Sequence, residues 1–386
     1  MRLSAKIITP LFFIAALCVL SCKAKGSDGS RTEQVDNVTD STFIKEPKRA
    51  TLYFVGDAMQ HQRQLDIARM IGKGEFDYSE CFNLIQPIVE QADYAVVNLE
   101  VALGGGKGGY TGYPMFSAPD SYAQALKDAG FDMFLTANNH TLDRLDYGLR
   151  RTLDVLDSMK VDHIGTYRNK EERVKKTPFI KDINGISVGF FNYTYGTNGI
   201  VARDGAEVNY IDRKDIEREI KATRDSGARF LIVCVHWGDE YHLLENKTQR
   251  DLAQFMLDNG VDVIIGGHPH VIQPMHLVDN PATGRKSLVI YSLGNFISYM
   301  LKADCQGGAS VTCKIEETED GTIVLKDVSY DTFYVNKPVG GKGNLRVVPS
   351  YLEDSISTTQ RAAWNRFNSN AEKIFSTHNT QVPRTR

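Results

Sequence analysis

Between Thr51 and Phe296 the apolar runs share one habit: nearly all of them stop on a compact cluster of Asp, Asn, Glu or His. The runs are LYFVGD (52–57), YAVVNLE (94–100), DMFLTANNH (132–140), VDHIGT (161–166), ISVGFFNYT (186–194), FLIVCVHWGDE (230–240), VDVIIGGHPH (261–270) and LVIYSLGNF (288–296). Amphipathic segments lie between them, among them 121–130, 147–159, 213–227 and 248–260, and three of these four end in Gly, as helix C-termini often do. Continuous apolar strands separated by helices require sheets covered on their faces, which predicts an α/β fold. In such folds ligands bind beyond the carboxyl ends of the strands. Asp57, Glu100, Asn139, His140, His236, His268 and His270 are therefore expected on one sheet edge.

Carboxylate, carboxamide and imidazole together make a mixed oxygen and nitrogen donor set. It suits a divalent transition metal (Mn, Fe or Zn), one or two ions, better than calcium. Two such ions bridged by a carboxylate can activate water and clamp an in-line displacement, and a histidine off the metal can protonate the leaving group. Taken singly, each residue has a plainer reading: a strand-end Asp is commonly a cap, and Asn138 and Asn139 can simply shape a turn. His61, four residues after Asp57, stays open between the two readings. The loop GGGKGG (104–109) lacks the order of a phosphate-binding loop and opens no helix, so it is expected only as a rim.

Outside this region, 311–336 alternates in period two around Asp320-Gly321, as a hairpin would. Residues 354–377 read as a terminal helix and 378–386 as a frayed tail. At the start, Arg2 and Lys6 precede an apolar stretch (7–20) too short for a membrane span, followed by Ser21-Cys22. This is the pattern of an export signal, and VLSC resembles a bacterial lipobox with Cys22 as the lipidated residue. The expected division is a signal peptide at 1–21, a polar tether at 22–48, a main domain at 49–305, a β extension at 306–350 and a C-terminal helix and tail at 351–386. None of the six cysteines shows C-x-x-C spacing, and Cys305 and Cys313 are near enough in sequence for pairing to stay open. A net charge of −3, with no basic stripe, excludes a nucleic-acid partner.

The blocks GDAMQH, VVNLE, NNHTLDRLDYGL, HWGDEY, GGHPHVIQP and SLGNF, in this order over about residues 51–297, resemble the CapA family of poly-γ-glutamate capsule synthesis proteins. That family is related to calcineurin-like metallophosphoesterases, so the resemblance implies a two-sheet β-sandwich flanked by helices. It also implies roles: Asp57 and His270 on a first metal, Glu100 as the bridge, Asn139, His236 and His268 on a second, and His140 as general acid. Two departures stand out. Met59 occupies the place of a usual second ligand to the first metal, and the bridge is Glu where Asp is usual. Asp239 and Glu240 are candidates for a cationic group or an additional ion. Asn138, Asp143 and Asn295 are candidates for supporting the ligands from behind.

For function, these features predict an envelope lipoprotein in the biosynthesis of a capsule-type surface polymer, with hydrolase-like metal chemistry. Its expected partners are an anionic surface polymer or a phosphoester substrate, the membrane through the lipid anchor, and the polymer synthesis or export machinery. The alternative is a non-catalytic lipoprotein that binds the polymer or scaffolds its export.

Overall fold

Strand alternation sorts the apolar residues onto two faces. On strand Arg49–Ala58, Leu52 and Phe54 face one way and pack with Val188, Phe190, Ile232, Val263 and Ile290 of a second sheet. Tyr53 and Val55 face the other way, toward Tyr122 and Leu126 of helix Asp120–Asp128 and Leu156 of helix Leu145–Met159. The second sheet repeats the scheme: Leu231, Val233 and Ile264 meet Ile216 and Ile220 of helix Arg213–Asp225 and Leu252 and Met256 of helix Lys247–Asp258. Each apolar run is thus buried on both faces, in a sandwich of two sheets with helices outside. A fully buried side chain of this size contributes about 1.5–3 kcal/mol.

The computed structural model describes residues 46–106, 108–340 and 342–385, and Glu46–Arg386 forms one compact unit. The expected signal peptide, Cys22 and nearly all of the tether lie outside the described residues. The first sheet has the order Arg346–Pro349, Ile323–Asn336, Gly307–Glu317, Arg49–Ala58, Tyr94–Leu99, Met133–Leu135, Asp162–Ile164, with Asn295–Ile297 paired to the end of Arg49–Ala58. The second runs Met275–Asn280, Arg285–Ile290, Val263–Gly267, Phe230–His236, Ile186–Thr194, Phe179–Ile183. Central strands are parallel in both, and their register aligns the carboxyl ends: Asp57 opposite Asn98 and Asn295, His236 opposite Gly267 and Thr194.

The helix ends are chemically marked. The Asp212 side chain accepts from the Lys214 and Asp215 amides, and Asn246 forms a capping box with Gln249. Gly227 and Gly260, just past two helix ends, take φ of 96° and 80°, where a Cβ would be strained. Strand 132–140 is shorter than its apolar pattern suggested, since the chain leaves the sheet after Leu135. The hairpin Gly307–Glu317/Ile323–Asn336 extends the first sheet alongside Arg49–Ala58. The tail is not frayed: Leu277 N–H donates to Thr380 O (2.9 Å) and Tyr330 N–H to Pro383 O (3.0 Å). Those strands present backbone groups that need partners, and the tail supplies them. Cys81, Cys234, Cys305 and Cys313 are buried free thiols, so Cys305 and Cys313 are not bonded to each other.

Candidate metal centre

Asp57 closes strand Arg49–Ala58, and its carboxylate is fully buried. Oδ1 accepts from Asn98 Nδ2 (2.8 Å), Oδ2 from the His268 backbone N–H (3.2 Å), and His270 Nδ1 is 3.4 Å away. Burial alone would raise its pKa, but the His270 hydrogen bond, the neighbouring His236 and His270 imidazoles and the Asn98 amide outweigh it and hold it at about 2. Glu100, one residue past strand Tyr94–Leu99, is also fully buried, and neither carboxyl oxygen has a hydrogen-bond donor. His236 Nε2 lies 3.6 Å and His270 Nε2 3.9 Å from its Oε1. Burial first, and then the neighbouring Asp57 and Glu240 charges, push Glu100 well above the usual carboxylate range.

The imidazoles are held in the opposite sense. Burial and the mutual repulsion of the rings keep His236 well below its ordinary value and His268 at about 3, so both are neutral with a lone pair to offer. His236 Nε2 is 2.9 Å from Asn139 Oδ1, and His268 Nδ1 has no partner. His270 Nδ1 faces Asn295 Oδ1 at 3.0 Å. Asn295 Nδ2 donates to Ser298 Oγ and Cys305 O, so Oδ1 is an acceptor and His270 carries its proton on Nδ1. That leaves Nε2, the atom toward Glu100, as the donor to a cation.

Three observations fit a divalent cation. Two groups of buried donors, Asp57/Glu100/His270 and Glu100/His236/His268, each gather their ligand atoms within 4.8 Å and share Glu100. The Glu100 carboxylate lacks any compensating donor, a condition that costs several kcal/mol unless a cation satisfies it. Finally, the backbone is shaped around the site: a Cβ on Gly267 would fall 2.7 Å from Asp57 Oδ1. His268 and His270 take φ of 96° and 59°, strain that persists where the surroundings over-determine it. Beside this cluster His140 Nδ1 sits 2.7 Å from Asp143 Oδ2, both buried, with the Phe116 ring edge-on at 4.5 Å.

All of these donors fall within residues 51–300, the stretch that matches the family model described as bacterial capsule synthesis protein PGA_cap. The chain belongs to that family. It is 29% identical over 279 residues to the capsule biosynthesis protein CapA of Bacillus anthracis, covering 69% of this chain and 63% of that one. It is 27% identical over 254 residues to the PGA biosynthesis protein CapA of Bacillus subtilis (strain 168), covering 63% and 62%. The chain therefore matches just over three-fifths of the length of these relatives. Among solved structures it is similar to the NAD nucleotidase of Haemophilus influenzae, at 12% identity and TM-score 0.47 over 84% of this chain and 63% of that one. It is also similar to the calcineurin-like phosphoesterase YfkN of Bacillus subtilis, at 15% identity and TM-score 0.43 over 83% and 99%. These two likenesses concern the layout of sheets and helices and carry nothing about chemistry.

In this PGA_cap chain the remaining candidates divide. Glu240 reaches the cluster, grouped with His268 and His270. Asp239 does not: it is exposed and accepts from Asn246 Nδ2 (2.7 Å). His61 is absent from the donor groups found among the described residues; its Nδ1 accepts from the Tyr299 N–H (3.3 Å) and its ring packs on Phe116. Burial lowers it to about 4. Met59 is buried in the core on the outer face of the first sheet. Asn138 clasps the loop from behind, donating to Leu99 O (2.9 Å) and accepting from the His140 N–H. Trp237 packs on Tyr291 and donates to its carbonyl, while Asp146 holds the 203–206 loop through backbone N–H groups.

Two neighbours were not among the expected site residues. Asn98 orients Asp57 and, two residues before Glu100, shares its side of the strand. Tyr195 follows strand Ile186–Thr194 directly and lies 4.5 Å from the His268 ring, so the strand-end rule pointed to it.

Proposed function

We propose that this chain is a metal-dependent, hydrolase-like enzyme of the cell envelope acting in the biosynthesis of a capsule-type polymer. The observation that carries this reading is the pair of buried donor groups hinged on Glu100, with the His140–Asp143 pair next to them. Family membership supports the capsule context. Asp57, Glu100 and His270 would hold one divalent ion, and Glu100, Asn139, His236 and His268 a second. When bound, such ions acidify water and offset negative charge on an oxygen under attack.

The chain's own residues do the rest. Asp143 Oδ2 accepts from the Phe116 N–H (2.7 Å) and from His140 Nδ1, which fixes the ring and leaves Nε2 to deliver a proton to a departing oxygen. Asn295 and Asn98 hold His270 and Asp57 in place. Tyr195 and Tyr241, both partly exposed, form the rim that a substrate passes. A cationic centre of this kind suits a phosphoester or a carboxylate-rich chain. Residues 1–22 fit export and lipid anchoring through Cys22, and no described helix is long and apolar enough to cross a membrane.

The buried Met59 favours a second reading, a polymer-binding or export-scaffold lipoprotein with a single ion or none. Elemental analysis of the purified protein beside a His236→Ala/His268→Ala variant separates the two, together with a phosphoester and γ-glutamyl polymer screen. About two equivalents of Mn, Fe or Zn, lost in the variant and accompanied by turnover, support the enzyme. Polymer retention without metal or product overturns it.

A further inference from the structure

The segment Trp237–Tyr241 follows strand Phe230–His236 directly. Trp237 N–H donates to Gly267 O (3.1 Å) and Tyr241 N–H to Pro269 O (2.9 Å), which ties this segment to the turn carrying His268 and His270. Tyr241 takes φ of 69°, a conformation costly for an aromatic residue, and Lys302 Nζ rests 3.8 Å from its ring centre. Between these fixed points the chain turns Glu240 back onto the cluster. Its carboxylate joins His268 and His270 in a third donor group, with the ligand atoms within 4.8 Å of one another. Glu240 differs from Asp57 and Glu100 in being exposed, so it approaches from the solvent side. Its neighbour Asp239 points to Asn246 instead.

We propose that Glu240 is a ligand of the centre, entering from the exposed side beside His268 and His270. It would supply the hard oxygen donor that Met59 cannot, because the thioether is a poor partner for such ions and is turned into the core. An exposed carboxylate in this place also sets the character of the entrance. This inference rests on the metal-centre reading of the proposed function.

The test titrates the full-length, metal-stripped protein with Mn2+ and with Zn2+ by calorimetry and chelator competition, comparing wild type, Glu240→Gln and Asp239→Asn. Circular dichroism confirms that each variant is folded. The expected result is two ions for wild type and for Asp239→Asn, and one of them weakened at least tenfold in Glu240→Gln with the other unchanged. Two ions bound equally by wild type and Glu240→Gln overturn the assignment of Glu240 and leave the centre intact. A single ion in wild type, unaffected by Glu240→Gln, does the same. No ion bound by wild type overturns the metal centre itself, and the role of Glu240 with it.

Discussion

Replacing Glu100 with Gln should make the metal-free protein more stable and the metal-loaded protein less so. In the metal-free state the Glu100 carboxyl is fully buried without a donor on either oxygen, and its pKa is raised well above the usual range. The folded state then binds a proton that the unfolded state has released, so stability falls as pH rises above about 4.3. The slope is about 1.4 kcal/mol per pH unit until the raised value is reached. Below about pH 4 both states are protonated and the effect vanishes. Glutamine removes the titration but leaves an unpaired amide, which costs about 1–3 kcal/mol by itself. The variant is therefore expected to gain on the wild type in chelator as pH rises above about 4.3, most clearly at pH 7. With metal at a hundred times its Kd each ion bound would add about 2.7 kcal/mol to the wild type, and the variant forfeits that gain because both donor groups share Glu100. Thermal unfolding by circular dichroism at pH 4, 5.5 and 7, in chelator and then in Mn2+ or Zn2+, reads the whole pattern. A variant less stable than wild type in chelator at pH 7, yet stabilised by metal to the same extent, would show that Glu100 is an ordinary core carboxyl.

His140→Ala should lower turnover in the proposed hydrolysis by about 10²–10⁴-fold while metal content, read by elemental analysis, stays the same. Asp143→Ala should lower turnover less, since it removes only the acceptor that orients the ring. Asn295→Ala removes the partner of His270 Nδ1 and should weaken one ion by about 10–100-fold in chelator competition; unchanged affinity would place Asn295 outside the centre. Gly267→Ala sets a methyl 2.7 Å from Asp57 Oδ1 and should cost metal binding while the far-ultraviolet spectrum is preserved. Equal metal content in this variant would mean that the Asp57 carboxylate can move without consequence.

The sequence determined the layers and the edge where chemistry collects. Apolar runs such as FLIVCVH and VDVIIGG have no polar face to turn to water, so they must be covered on both sides. Their polar ends are then left together beyond the strands. The residues that close each run, Asp57, Glu100, His236, His268 and His270, were legible for that reason, and helix ends at Asp212 and Asn246 carried their own capping chemistry.

Relations between distant segments were not legible. Asp239 and Glu240 are adjacent acids with the same local credentials, and the lacing of their segment to the His268 turn decides which one faces the cluster. His61 had ligand chemistry and suitable spacing, but the Tyr299 amide, 238 residues away, occupies its Nδ1. The tail looked frayed because its hydrogen-bond partners lie on strands Met275–Asn280 and Ile323–Asn336, which no local pattern could associate with it. Periodicity and capping act within a few residues and can be read along the chain. The direction a polar side chain takes is set by which hydrogen-bond partners the finished fold brings within about 3 Å, and that is decided only when the two sheets have closed on each other.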